Sequence, residues 1–458
     1  MKSITVDIAV IGSGAAGMSA AAAACEAGAR VAVFEREKYP GGILLQCIHN
    51  GFGLHHFKEE LTGPEYAGKL ARIIQNLNIP VYLDTTVLSA LNDNNKPGEY
   101  KTLRAVSPEH GAMQINAKAV IIAAGSRERN RGNLGIPGTR PAGVFTAGLA
   151  QRLANIDGLI AGRRVVIAGS GDIGLIMARR MTWIGAKVLG VVEILPYPSG
   201  LARNIQQCLN DFNIPLYLSH SIIGISGKDR VSSVQIAPLS NGIPDLSRAF
   251  MLDCDTVLLS VGLIPDTELT AELGAEIYSS TGGPSTDWRY MTSVPGVFAC
   301  GNALHIHDLV DFVSEEASRC GKAAAAWITQ KGNQDTVLTD DLNASILQLQ
   351  AGTNVRYVLP RTFSSAADTT VHLRPLINAR SCRFVLHCQD KVYYEKKIPF
   401  ARPAEMLRFT IPAGTIHAGN IPIGNVPVDN ISQRTGHSKT IEAAILPPLK
   451  KRQANEFN

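Results

Sequence analysis

The chain has 458 residues, 45% of them hydrophobic and 18% charged, which suits about three domain-sized units with cores of their own and excludes a disordered polymer. The formal net charge of +5 is uneven: residues 1–340 carry 29 Lys and Arg against 31 Asp and Glu, and residues 341–458 carry 15 against 8. A basic excess confined to the C-terminal quarter is no argument for nucleic-acid binding, which needs a focused basic face on the working domain, and it marks either a docking surface or a solvated tail.

From the N-terminus, residues 5–11 predict a strand that runs into Gly12-Ser13-Gly14-Ala15-Ala16-Gly17. An alanine-rich helix over 18–29 and a strand over 30–34, closed by Glu35 and Arg36, complete a βαβ unit. Residues 80–120 read as a meander of short strands, broken by a turn-forming run at 92–98, and 119–125 as a buried return strand ending in Ala123-Ala124-Gly125. Ile136-Pro137-Gly138 marks a crossing into a second unit of the same order. There a strand over 164–168 meets Gly169-Ser170-Gly171-Asp172-Ile173-Gly174, followed by a helix to about 185 and a strand ending in Glu193. A matching return strand over 256–262 ends in Gly262, and 294–302 forms a buried strand ending in Gly301-Asn302 ahead of a helix over 314–329. From about 345, strand-like runs alternate with turns; the last residues are rich in Asn, Gln, Pro and Lys and are expected to be poorly ordered.

The expected fold is therefore α/β: two Rossmann-like three-layer modules, the second inserted in the first, plus a small C-terminal β-rich domain. The expected boundaries are 1–138 and 264–335 for the first module, 139–263 for the second, 345–412 for the β-rich domain and 413–458 for a tail.

Each glycine turn has a mechanism. The first Gly makes the tight strand-to-helix turn, the second lets backbone approach a pyrophosphate, and the third lets helix and strand pack closely. The diphosphate rests on the N-terminus of the following helix. Glu35 follows Gly12 by 23 residues and Glu193 follows Gly169 by 24, each placed to accept from adenosine ribose hydroxyls. A carboxylate at Glu193 would repel a 2′-phosphate, so NAD(H) is expected over NADP(H).

Eight cysteines without a CxxC pair read as reduced intracellular thiols, and no apolar run reaches the roughly 18 residues that a bilayer requires. A cytoplasmic protein without an integral membrane segment is expected. His49 and His55-His56 have no third ligand at metal spacing, so no metal is expected. His305 and His307 are read either as proton carriers or electrostatic partners of a reduced cofactor or as loop histidines held by backbone, and Arg127, Arg129 and Arg131 either as lining the crevice between the modules or, the preferred reading, as a solvated loop.

The order of Gly12-x-Gly14-x-x-Gly17, Glu35, Ala124-Gly125, Gly169-x-Gly171-x-x-Gly174, Glu193, Gly262 and Gly301-Asn302 resembles the pyridine nucleotide–disulfide oxidoreductase superfamily of flavoproteins, over about residues 4–335. The resemblance implies FAD on the first module and NAD(H) on the second, with hydride passing between them. It adds Ala16, Arg36, Gly42 and Val87 to the FAD-side residues, Asp172 and Ile173 to the NAD-side ones, and Gly301-Asn302 as neighbours of the ribityl chain and flavin. The helix that follows would stabilise anionic reduced flavin through its positive end. Asn302 stands where the family has Asp.

The disulfide reductases carry a redox pair after the Gly-Gly matched by Gly41-Gly42, whereas this chain continues Ile43-Leu44-Leu45-Gln46-Cys47-Ile48-His49, without the pair. Cys47 alone is read either as a thiolate over the flavin or as a thiol lining the flavin cavity. More narrowly, residues 41–55, Gly63-Pro64-Glu65-Tyr66-Ala67 and His307-Asp308-Leu309-Val310-Asp311 resemble a subgroup that accompanies anaerobic glycerol-3-phosphate dehydrogenases, more distantly similar to subunits of opine oxidase, hydrogen cyanide synthase and sarcosine oxidase. This implies a partner dehydrogenase, together with a small-molecule redox substrate left unnamed, no nucleic acid, and scope for an oligomer. Three functions stay open: a subunit acting as an NADH-linked FAD oxidoreductase; a stand-alone NADH oxidase or peroxidase using Cys47; and a non-catalytic electron-carrying or assembly subunit.

Overall fold

A computed structural model describes residues 1–91, 100–330, 346–416, 421 and 439–448. The turn expected at 92–98, most of the tail and the basic run Lys450-Lys451-Arg452 lie outside the described residues.

The apolar run that opens the chain forms the strand Lys2–Ile11, which pairs in parallel with Val31–Phe34 on one side and Gly111–Ile122 on the other. Ile8 and Val10 face one hydrophobic cluster and Ala9 and Ile11 another, so both faces of the sheet are covered. The full sheet has seven strands in the order Val81–Tyr82, Val31–Phe34, Lys2–Ile11, Gly111–Ile122, Lys101–Ser107, Thr86–Leu91, and Val297–Ala299 adds in parallel to the end of Gly111–Ile122. Helix Ala15–Glu26 is buried along most of its length and packs in one core with helix Val310–Gln330 through alanines such as Ala20, Ala24, Ala317 and Ala324. That second helix begins at Val310, a turn earlier than the sequence suggested.

The second module is a five-stranded parallel sheet in the order Val144–Thr146, Thr256–Leu259, Arg164–Ala168, Lys187–Glu193, Leu216–Leu218. An antiparallel flap of His220–Gly227, Val231–Ser240 and Phe250–Asp253 covers one face, a counterpart of the first module's meander that sequence reading did not single out. The two segments that carry the chain out of and back to the first module, Ser126–Glu128 and Leu263–Pro265, pair antiparallel with each other.

The C-terminal region is a β-structure of two sheets. One runs Thr362–Ser364, Ile346–Ala351, Lys439–Leu446, Ala379–Cys388, Lys391–Ala401, and the other Val355–Leu359, Thr369–Pro375, Leu407–Ile411. Leu347, Leu349, Phe384, Leu386, Phe409, Ile441 and Ile445 share its core. This corrects the expectation of a disordered tail over 413–458: residues 439–446 form an interior strand of the five-stranded sheet, parallel to Ile346–Ala351 and antiparallel to Ala379–Cys388. The run Lys-Thr-Ile-Glu-Ala-Ala-Ile-Leu carries enough apolar surface to be drawn into the sheet, and truncating a core Ile of this kind typically costs about 2–5 kcal/mol. Among the described residues, no helix is long and apolar enough to cross a membrane.

Candidate functional site

The first glycine turn joins Lys2–Ile11 to helix Ala15–Glu26 and abuts the end of the return strand, where Ala123 N donates to Ile11 O. A Cβ on Gly17 would stand 1.8 Å from Gly12 O, so only glycine lets the helix sit so close to the strand. A Cβ on Gly14, in contrast, would meet nothing within 4 Å: the backbone is open on the side where a pyrophosphate would approach. No side chain caps this helix, which leaves its first amides free for an anion. Glu35, at the end of the next strand, is buried and accepts from Ser13 N and Ser13 Oγ at 2.7 Å each and from Glu37 N at 2.9 Å. Gly42 lies over Gly14, closing the turn from above, and Gly41 N donates to Ser13 O. Val87 and Ala124 pack against the hydrophobic cluster that Ala9 and Ile11 face, while Arg36 is exposed. These features fit a dinucleotide that would be held by residues 12–17, Glu35 and Gly42.

The second turn repeats the arrangement. A Cβ on Gly174 would stand 2.6 Å from Gly169 O and 2.8 Å from Ser260 Cβ. Glu193 is buried and accepts from Ser170 N at 3.0 Å, Ser170 Oγ at 2.5 Å, Leu195 N at 3.0 Å and, in addition, Ser199 Oγ at 2.8 Å. Asp172 stands in the first turn of helix Asp172–Trp183, beside Ile173, and its Oδ1 accepts from Leu201 N at 2.9 Å and Asn204 Nδ2 at 2.7 Å. Gly262 is exposed where the two crossing segments meet, and its carbonyl accepts from Arg129 N. Arg131, read from sequence as solvated, instead clamps the crossing loop by donating to the carbonyls of Ile136, Pro137 and Thr139.

Between the modules lies the excursion after Gly41-Gly42. Gln46 Nε2 donates to Gly148 O and Gln151 Oε1, and Asn155 Nδ2 donates to Gln46 O, so the segment docks on helix Ala147–Asn155 of the second module. The Cys47 thiol reaches Ile43 O at 3.3 Å and Gln151 Oε1 at 3.7 Å. Burial pushes the Cys47 thiol up to about 12, which keeps it protonated at neutral pH. That burial favours reading Cys47 as a thiol lining the cavity over reading it as a thiolate.

Gly301-Asn302 follows Val297–Ala299, and the environment beneath it was not legible in the sequence. Gly301 N donates to Glu316 Oε1 at 2.8 Å, and Asn302 Oδ1 accepts from His307 N at 3.0 Å. The fully buried Glu316 also pairs with His305 Nε2 at 2.9 Å and His307 Nε2 at 3.1 Å, and His372 of strand Thr369–Pro375 approaches to 3.9 Å. Burial and the nearby imidazoles hold His305 and His372 below the ordinary histidine range. Burial alone would raise the Glu316 carboxyl, but His307 and His305 overcome it and hold the group well below the usual carboxylate range. His305 Nδ1, His307 Nδ1 and His372 Nε2 have no hydrogen-bond partner, and such a buried orphan typically costs about 1–3 kcal/mol. Both histidines of the 305–307 loop were visible candidates; His372 and Glu316 were missed because nothing in sequence spacing links a helix to a strand in another domain.

Comparison with known proteins places these features in a family. Residues 6–326 match the family described as pyridine nucleotide-disulphide oxidoreductase. The chain is 26% identical over 317 residues to one of the subunits of the opine oxidase of Agrobacterium tumefaciens, a match that covers 66% of this chain and 61% of that protein. It therefore spans about three fifths of that relative's length. It is 27% identical over 334 residues to the thioredoxin reductase of Treponema pallidum, covering 70% of this chain and 97% of that one. Among solved structures, the thioredoxin reductase of T. acidophilum superposes with a TM-score of 0.58 at 23% identity, over 70% of this chain and 98% of the other.

Proposed function

Since the chain belongs to the pyridine nucleotide-disulphide oxidoreductase family, whose members use FAD and NAD(P)H, we infer that it moves hydride between NAD(H) at the second turn and FAD at the first. Bound together, the two cofactors supply the redox chemistry itself. The chain's part is to hold them: residues 12–17 with Glu35 on one side, residues 169–174 with Glu193 on the other, and the docked Gln46–Gln151 contact fixing one module against the other. The observation that carries this reading is the repetition of one turn-and-acid arrangement on two sheets of the same chain.

We further propose that the electrons pass to or from a partner dehydrogenase, of the glycerol-3-phosphate dehydrogenase kind, and not through a dithiol. By the resemblance, Leu44 and His49 stand where the disulfide reductases carry the redox pair, and burial pushes the remaining thiol, Cys47, up to about 12. The opine oxidase relative, by its name, is itself one subunit of an oxidase. The buried Glu193 carboxylate favours NAD(H) over NADP(H), whose 2′-phosphate it would repel.

Anaerobic stopped-flow mixing with NADH tests the main reading. NADH is expected to bleach the bound flavin at least tenfold faster than NADPH at equal concentration; a flavin that NADH cannot bleach, or that NADPH bleaches faster, overturns it. Co-purification of a dehydrogenase from the native host tests the subunit role. Cys47→Ser is expected to leave NADH-driven bleaching within about twofold. Alkylation of Cys47 should stay slow from pH 7 to 9 and accelerate only as the pH climbs toward about 12, because a raised thiol pKa withholds the thiolate until then.

A further inference from the structure

We propose that His305, Glu316 and His372 bind a divalent transition-metal ion of zinc-like preference, which fastens the C-terminal β-structure to the first module. The three residues come from three places: the loop after Gly301-Asn302, helix Val310–Gln330, and strand Thr369–Pro375. One ligand atom from each lies within 4.8 Å of the other two, and all three residues are buried.

The donor set is two imidazoles and one carboxylate, a combination suited to borderline ions such as Zn²⁺. Two ligands held about 2.0–2.2 Å from a tetrahedral ion stand about 3.3–3.6 Å apart. The distances to Glu316 Oε2 bracket that edge: 2.9 Å from His305 Nε2 and 3.9 Å from His372 Nδ1. The other carboxylate oxygen is already engaged, by Gly301 N at 2.8 Å and His307 Nε2 at 3.1 Å, which orients Glu316 so that Oε2 faces the two histidines.

Hydrogen bonding alone does not account for His372. Its nearer nitrogen, Nδ1, is too far from Glu316 for a hydrogen bond, yet the ring is buried at the seam between the two units with that nitrogen turned toward the carboxylate. An ion between the three residues supplies the missing attraction and neutralises a carboxylate that is otherwise surrounded by imidazoles. The neighbouring Arg374 is not available for that role, since its guanidinium donates to Asp308 Oδ1 at 2.7 Å and to Ala404 O at 2.8 Å.

The test uses the full-length, untagged protein, expressed in zinc-supplemented medium so that a buried site loads during folding. Elemental analysis is expected to find about one zinc per chain, and zinc K-edge absorption a first shell of nitrogen and oxygen. His372→Ala is expected to lower the bound zinc at least tenfold. Less than a tenth of an equivalent in the native protein, a sulfur-containing shell, or a zinc content that survives both His372→Ala and Glu316→Gln would overturn the proposal. Because the absorption spectrum is read on the native chain, a variant that fails to fold does not shield it.

Discussion

At the first glycine turn Glu35 accepts from Ser13 N, Ser13 Oγ and Glu37 N; at the second Glu193 accepts from Ser170 N, Ser170 Oγ and Leu195 N, and then from Ser199 Oγ as a fourth donor. The three shared contacts come from the turn itself and from the residue two places after the acid, so they follow from the motif wherever it occurs. The fourth comes from a loop outside the motif. The helix starts differ as well. The first opens on Ala15, with no acid in its first turn, whereas the second opens on Asp172, a carboxylate at the end of the helix where a pyrophosphate would rest. The second turn thus presents more competition to an incoming dinucleotide, which fits the proposed division between a retained FAD and an exchanging NAD(H).

The sharpest way to separate the turns is to fill them. Gly17→Ala puts a methyl 1.8 Å from Gly12 O, and the strand and helix must part to admit it. Overpacking of this kind costs about 1–3 kcal/mol or more, and the variant is expected to purify without flavin. Gly174→Ala meets its neighbours at 2.6 and 2.8 Å in the other module. It is expected to keep its flavin, read by absorbance, while NADH bleaching slows at least tenfold. Loss of flavin from Gly174→Ala would show that the two turns are not independent.

Charge removal is the next step down. Hydrogen bonds to a charged group contribute about 1.5–3 kcal/mol each, and an amide nitrogen cannot accept from Ser13 N or Ser170 N. Glu35→Gln is expected to weaken FAD retention about 10–100-fold with the NADH response of reloaded protein intact. Glu193→Gln should do the reverse: FAD stays bound, the KM for NADH rises about tenfold, and discrimination against NADPH narrows. If both variants lost flavin equally, the acids would be acting on the fold and not on separate ligands.

What was legible in the sequence divides along the same line. The turns, the two acids and the return strands could be read because each depends on contacts between residues of one βαβ unit. Ser199 escaped because a loop donor carries no spacing rule. Glu316 and His372 escaped for a stronger reason: one lies on a helix of the first module and the other on a strand of the β-structure, and only the packing of the two units brings them together. Residues 439–446 were hidden by their polar flanks, although Ile441, Ala443 and Ile445 are fully buried once paired with Ala379–Cys388. Cys47 was visible as a residue, but the burial that pushes its thiol up to about 12 follows from packing that no motif records.

The smallest expected effect tests the contrast most directly. Ser199→Ala removes the fourth donor to Glu193 without releasing the loop, because Ser199 N still donates to Ser170 Oγ at 2.9 Å and Leu201 N to Asp172 Oδ1. A carboxylate oxygen has a limited number of acceptor sites, and Oε2 already serves Ser170 N and Ser170 Oγ as well as Ser199 Oγ. Removing Ser199 Oγ therefore opens a site to a ribose hydroxyl, and one hydrogen bond of net worth about 0.5–1.5 kcal/mol corresponds to a Kd for NADH about 2–10-fold lower. The measurement is a titration of anaerobic flavin bleaching against NADH, with FAD retention as the control expected not to change. A Kd that rises instead would mean that Ser199 serves the nucleotide and does not compete with it, and the two turns would then differ in how many groups they bring to the ligand, not in how many they withhold.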